Sequence, residues 1–139
     1  MSTLTAVWGA PVRYGECDQQ GIVFNAHYLA YADEAATAWF AATGTTYDAL
    51  LARGLDTRVK ASRLEWSASA RWGEHVEVDA ACERIGGTSF NLGLLVRVGE
   101  RPCCSVRTTY VLVDPAGRPT RVPDDLRAQW AGPGGGGTP

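Results

Sequence analysis

Residues 27–43 decide more than any other stretch what this chain can fold into. Apolar side chains recur at Tyr28, Ala32, Ala35, Ala36, Trp39 and Phe40, which is the three-and-four spacing of one face of an α-helix. Most of that face is alanine, so the helix backbone can lie close against whatever covers it, and Gly44 stands where a helix C-terminal cap is needed. Downstream the period changes from helical to extended. Residues 57–67, 75–83, 89–98 and 103–113 read as strands, with Val76, Val78, Ala80 and Cys82 on one side of the second of them. Turn-forming residues separate them: Trp72, Gly73 and Glu74, then Gly86 and Gly87, then residues 99–102. Upstream, Val12, Arg13 and Tyr14 follow Pro11 as a short strand, and a second short helix spans 47–53 before Gly54. Strands joined by tight turns pair antiparallel, so the fold expected is α+β, a five-stranded antiparallel sheet wrapped around one long central helix.

The 139 residues, 45% hydrophobic and 20% charged, suffice for one core and not for two. A single domain over 1–131 is expected, with a last helical turn or two in 123–130 and a disordered glycine and proline tail at 132–139. The net charge of −2, from 13 basic and 15 acidic residues, gives no general attraction to nucleic acid or to anionic membranes. No apolar run approaches a membrane span, and the first residues lack the basic region and apolar core of a signal peptide, so a cytoplasmic location is expected. Cys17, Cys82, Cys103 and Cys104 have no metal-ligand spacing and read as reduced thiols; neither a metal nor a cofactor is expected.

The chemistry is expected between Tyr14 and Tyr28. Asp18 falls in a polar loop, Gly21 can take positive φ or admit a ligand, and Ile22, Val23 and Phe24 form an apolar collar able to keep water from an acyl chain. Asn25 is a favoured N-cap type, so a helix beginning near Asn25 or Ala26 would present its unpaired N–H groups and its dipole to developing negative charge. A carboxylate beside such donors suits acyl transfer. Glu16 reads as a solvated or salt-bridged acid at a strand end. Cys17 lacks the cationic neighbour a nucleophilic thiol needs. His27, in the first helical turn, is a candidate for orienting water or substrate as a neutral imidazole.

The run from Arg13 to Tyr28, with Asp18, Gly21, two or three apolar residues and a polar cluster ending in tyrosine, resembles the signature of the hotdog-fold thioesterases of the 4-hydroxybenzoyl-CoA thioesterase type. The resemblance extends more loosely over residues 5–130. It implies hydrolysis of an acyl thioester, carried by CoA or by an acyl carrier protein, with Asp18 as nucleophile or general base and the Asn25 backbone N–H as oxyanion donor. In that family a histidine often stands at the place of Asn25, and an asparagine or serine at that of His27; here the two types are exchanged. The resemblance also implies a homodimer with a continuous sheet and sites between chains, or a dimer of dimers. Expected substrate contacts are Gly21, Val23, Phe24, Tyr28, Asp33 and Arg63. Arg58, Lys60 and Arg84 are further candidates for CoA phosphates, while the turn at Gly86, Gly87 and Thr88 carries none of the basic residues that the aryl-CoA branch places there. Two alternatives are a hotdog-type enoyl thioester dehydratase or hydratase using His27, and a non-catalytic acyl-thioester-binding protein.

Overall fold

The computed structural model describes residues 4–135. The elements run β1 (Thr5–Pro11), a 3₁₀ turn (Tyr14–Glu16), α1 (His27–Thr43), α2 (Tyr47–Ala52), β2 (Asp56–Trp66), β3 (His75–Ile85), β4 (Ser89–Val98), β5 (Arg101–Val113) and α3 (Asp124–Gly135). One five-stranded sheet has the order β1-β3-β4-β5-β2, and every pairing is antiparallel. Strands β3, β4 and β5 follow one another through hairpins, whereas β2 crosses over to pair with β5 at the far edge. The sheet curls around α1, which is the α+β hotdog arrangement expected.

The alanine face explains the close fit. Ala32, Ala35 and Ala36 are buried against the sheet together with Tyr28, Tyr31, Trp39 and Phe40, and α1 ends at Gly44, whose φ of 113° is left-handed and cheap for glycine. On the sheet, Val76, Val78, Ala80 and Cys82 all face inward as the alternation requires. At the far end of α1 the core becomes aromatic. Phe90 and Trp130 lie with ring centroids 4.4 Å apart, and Trp39 and Phe40 close on Trp130 at 5.9 and 5.8 Å.

Three expected boundaries move. The first strand is Thr5–Pro11 and not the segment from Val12 to Tyr14, because Pro11 ends the ladder opposite His75 and the chain then tightens into the 3₁₀ turn. The helix starts at His27 with Ala26 as its cap residue, and no side chain caps it. Asn25 lies one position too early because a preceding turn, closed by the His27 N–H on the Phe24 carbonyl at 2.8 Å, leads into the helix. The final helix runs from Asp124 to Gly135, longer than the turn or two expected, with a break at Gly132 (φ 72°, ψ 170°). It therefore takes in the first part of the expected tail; residues 136–139 of that tail lie outside the described residues.

Candidate active site

The site is built by a hairpin-like loop that leaves the 3₁₀ turn and re-enters at the start of α1. Cys17 bridges Val23, the Asp18 N–H donates to the Ile22 carbonyl at 2.9 Å, and the Gly21 N–H donates to the Asp18 carbonyl at 3.0 Å. Gly21 has a φ of 76°, so this turn specifically favours glycine. The loop is tied to the segment before β3 by Val23 N–H to the Ala70 carbonyl (2.9 Å) and Trp72 N–H to the Gly21 carbonyl (3.0 Å).

Asp18 is exposed, and its Oδ1 accepts the Gln20 N–H at 2.8 Å. Its second carboxylate oxygen has no protein partner among the described residues. Asp18 lines a cleft of about 470 Å³ with Gln20, Ile22, Asn25, Tyr28 and Trp66. Across this cleft lies the start of α1. Among the described residues, the N–H groups of Asn25 and Ala26 meet no protein acceptor, as the geometry of a helix beginning demands. The Asn25 carbonyl is held by the Trp66 indole N–H at 3.1 Å, which pins the end of β2 across the helix start. Tyr28 is buried, and its hydroxyl accepts the Ala70 N–H at 3.0 Å.

On its other flank the same helix start opens into a trough of about 450 Å³ lined by Ala26, Leu29, Ala30, Asp33, Val59 and Tyr110, among others. The structure thus brings Asp18, Asn25 and Tyr28 together and sets Asp33 in the adjoining trough. Within the expected collar the residues diverge. Ile22 lines the cleft beside Val23, which is otherwise buried in the core, and Phe24 is exposed. Arg63 lies elsewhere: it pairs in register with the exposed Arg107 on the sheet face turned away from α1.

Glu16 departs most from its sequence reading. It is buried, 7% exposed; of the solvated or salt-bridged acid expected at a strand end, the salt bridge is present, to Arg13 at 2.9 Å, and the solvent exposure is not. Its Oε1 accepts the Arg13 backbone N–H and the Tyr31 hydroxyl, both at 2.8 Å. Its Oε2 accepts Arg13 Nε and Nη2 at 3.1 and 2.9 Å and stands 3.3 Å from His27 Nε2. Burial alone would raise the Glu16 carboxyl, but the Arg13 backbone N–H, the Tyr31 hydroxyl and the Arg13 guanidinium outweigh it and hold the group down at about 2. His27 faces Glu16, its ring edge-on to Tyr31 at 4.7 Å, and it does not line the Asp18 cleft. The Cys17 thiol is pushed up by burial and by the charges of Glu16 and Asp18, the opposite of what a nucleophilic cysteine needs. Sequence reasoning missed Glu16 and Tyr31 as partners because they are fifteen positions apart and share no local motif. It also missed Trp66, an exposed aromatic at a strand end.

Residues 12–130 match the model of the thioesterase-like superfamily. The chain belongs to that family, and thioester hydrolysis is the family's reaction. Solved structures agree in fold. A hypothetical protein from Thermus thermophilus is 26% identical, with a TM-score of 0.85 over 91% of this chain and 98% of that one. A probable thioesterase from Bartonella henselae is 21% identical (TM-score 0.80, 87% and 100% covered). The 1,4-dihydroxy-2-naphthoyl-CoA thioesterase from Synechocystis is 14% identical (TM-score 0.80, 91% and 96% covered). No curated protein matches the chain. Among the described residues, no helix is long and apolar enough to cross a membrane, and no group of three His, Cys, Asp or Glu side chains is placed to hold a metal ion.

Proposed function

We propose that this protein hydrolyses an acyl-CoA or acyl-carrier-protein thioester with Asp18 as the reacting carboxylate and the N–H groups at the start of α1, Asn25 first, as the oxyanion site. One observation carries the reading: a carboxylate with one oxygen unpartnered among the described residues shares a cleft with Asn25, whose N–H and that of Ala26, just before α1, meet no acceptor among those residues. As the carbonyl is attacked its oxygen gains negative charge, and fixed donors with a helix dipole behind them stabilise that charge more than the ground state. A thiolate leaves readily, so no triad is required. Asp18 either attacks the carbonyl, giving a mixed anhydride that water cleaves, or takes a proton from the attacking water; both routes end in free acid and thiol.

The trough along α1 is the place for the acyl group. Its alanines and its walls of Leu29 and Val59 suit a medium-length aliphatic or an aryl acyl group, the latter in keeping with the naphthoyl thioester of the Synechocystis relative. Among the described residues strand β2 pairs only with β5, and Val59 on it is 58% exposed. We assign this open edge to a second copy of the chain, which would extend the sheet and wall the trough. The position of His27, turned toward Glu16, favours hydrolysis over a histidine-based dehydration.

Thiol release followed with a dye on a panel of acetyl-, octanoyl- and benzoyl-CoA tests the reading. Release is expected from the two larger thioesters and little from acetyl-CoA. Hydration of an enoyl-CoA without thiol release, or acyl-CoA binding without turnover, would overturn it.

A further inference from the structure

Four hydrogen bonds and a histidine converge on the buried Glu16 carboxylate, and neither acid attack nor oxyanion stabilisation uses it. We infer that Glu16 is a positioning residue: its carboxylate locks the Asp18 loop onto the first two turns of α1 and holds His27 in its Nε2–H form. The inference rests on the reading that Asp18 and the helix-start N–H groups are the reacting parts.

The connectivity supports it. Glu16 and Phe24 close the neck of the loop, the Phe24 N–H donating to the Glu16 carbonyl at 3.0 Å. Asp18 lies two residues beyond one side of that neck and Asn25 one residue beyond the other. The distance between acid and oxyanion donors is therefore set by a short closed ring of backbone. The Glu16 side chain then fastens this ring to α1 through Tyr31, in the second helical turn, and His27, in the first. Arg13, on the strand side, completes the charge balance. The other titratable groups facing the cluster are Cys17 beside it in the loop, Tyr28 on α1 and, toward Arg13, Glu34. A carboxylate in a site 7% exposed survives only because donors surround it, so its placement is determined on every side.

The tautomer follows from the acceptor. Oε2 can only accept, so His27 presents Nε2–H to it and keeps Nδ1 unprotonated when neutral. In Glu16→Gln the amide keeps Oε1 for the Arg13 N–H and Tyr31, but an NH₂ group now faces Nε2 of His27 and the guanidinium of Arg13. His27 is expected to answer by becoming the acceptor, shifting its proton to Nδ1, while the exposed Arg13 side chain swings into solvent.

The test combines three readouts on wild type and Glu16→Gln. Imidazole ¹⁵N shifts above the histidine titration range should report Nε2–H for His27 in wild type and Nδ1–H in the variant, with His75, the second of the chain's two histidines, as an unchanged control. Amide exchange at Phe24 should quicken in the variant. The kcat on the best thioester should fall about tenfold with KM within twofold, as loss of alignment without loss of binding predicts. Should Glu16→Gln fail to fold, Tyr31→Phe, which keeps the carboxylate and removes one anchor, carries the test through faster Phe24 exchange and a lower kcat at constant KM. Wild-type kcat, Phe24 exchange and His27 tautomer in the folded variant would overturn the inference. If wild type cleaves no thioester the functional reading falls instead, and the tautomer and exchange data still decide whether Glu16 holds the loop.

Discussion

The two halves of α1 contrast sharply. Its C-terminal half packs Trp39 and Phe40 into an aromatic core with Phe90 and Trp130. Its N-terminal half faces a polar loop, a buried carboxylate and the N–H groups of Asn25 and Ala26, which meet no acceptor among the described residues. On the function proposed above, one helix serves as a post at one end and as an electrostatic device at the other. Apolar packing secures the C-terminal end, and the stability it contributes offsets the cost of donors left unpaired among the described residues at the other.

Breaking the packed end should give the largest effect on stability. Trp130 is 1% exposed, and Trp130→Ala is expected to lower unfolding free energy by about 3–5 kcal/mol in urea titrations. The kcat of the remaining folded protein should be close to wild type. A smaller effect, one that fades in acid, is expected at the N-terminal end. Because Glu16 is held down at about 2 in the fold, its ionised form adds stability above the usual carboxylate range, and that contribution is lost as pH falls through about 4.5 to about 2. The stability difference between wild type and Glu16→Gln should therefore be widest near neutrality and narrow across that window. Thermal melts from pH 7 to pH 2 would show it, and a difference independent of pH would contradict it. The smallest change should come from Thr46→Ala, outside both halves. Thr46 Oγ1 accepts the Ala49 N–H at 3.1 Å and caps the six-residue α2, so a loss of about 1 kcal/mol with unchanged turnover is expected.

Much of the packed half was legible in the sequence, because period is local information. The alanine face, Gly44 and the alternation of β3 each follow from neighbours within a few positions. The N-terminal half was legible only in part. Asp18 and Gly21 stand in one short motif, but the helix began two residues after Asn25, since the turn from Phe24 to His27 depends on contacts that spacing does not encode. Glu16 is legible in part for the same reason: a salt-bridged acid at the end of the strand expected over 12–14 is consistent with its pair to Arg13, but only the 3₁₀ turn reveals that it is buried under Tyr31. Arg63 was assigned to substrate by charge, and its face was decided by the register with Arg107 on β5.

The most direct test of the division between the two halves is Asp18→Asn, measured for turnover and for stability on the same preparation. Asp18 is exposed, and the variant's amide oxygen can still accept the Gln20 N–H that Oδ1 accepts now, so the urea midpoint should stay at the wild-type value. The kcat for the best acyl thioester should fall by about two orders of magnitude or more, within the range for a removed acid or base. Near-normal turnover by a fully folded Asp18→Asn variant would contradict the assignment of the chemistry to this end of the helix.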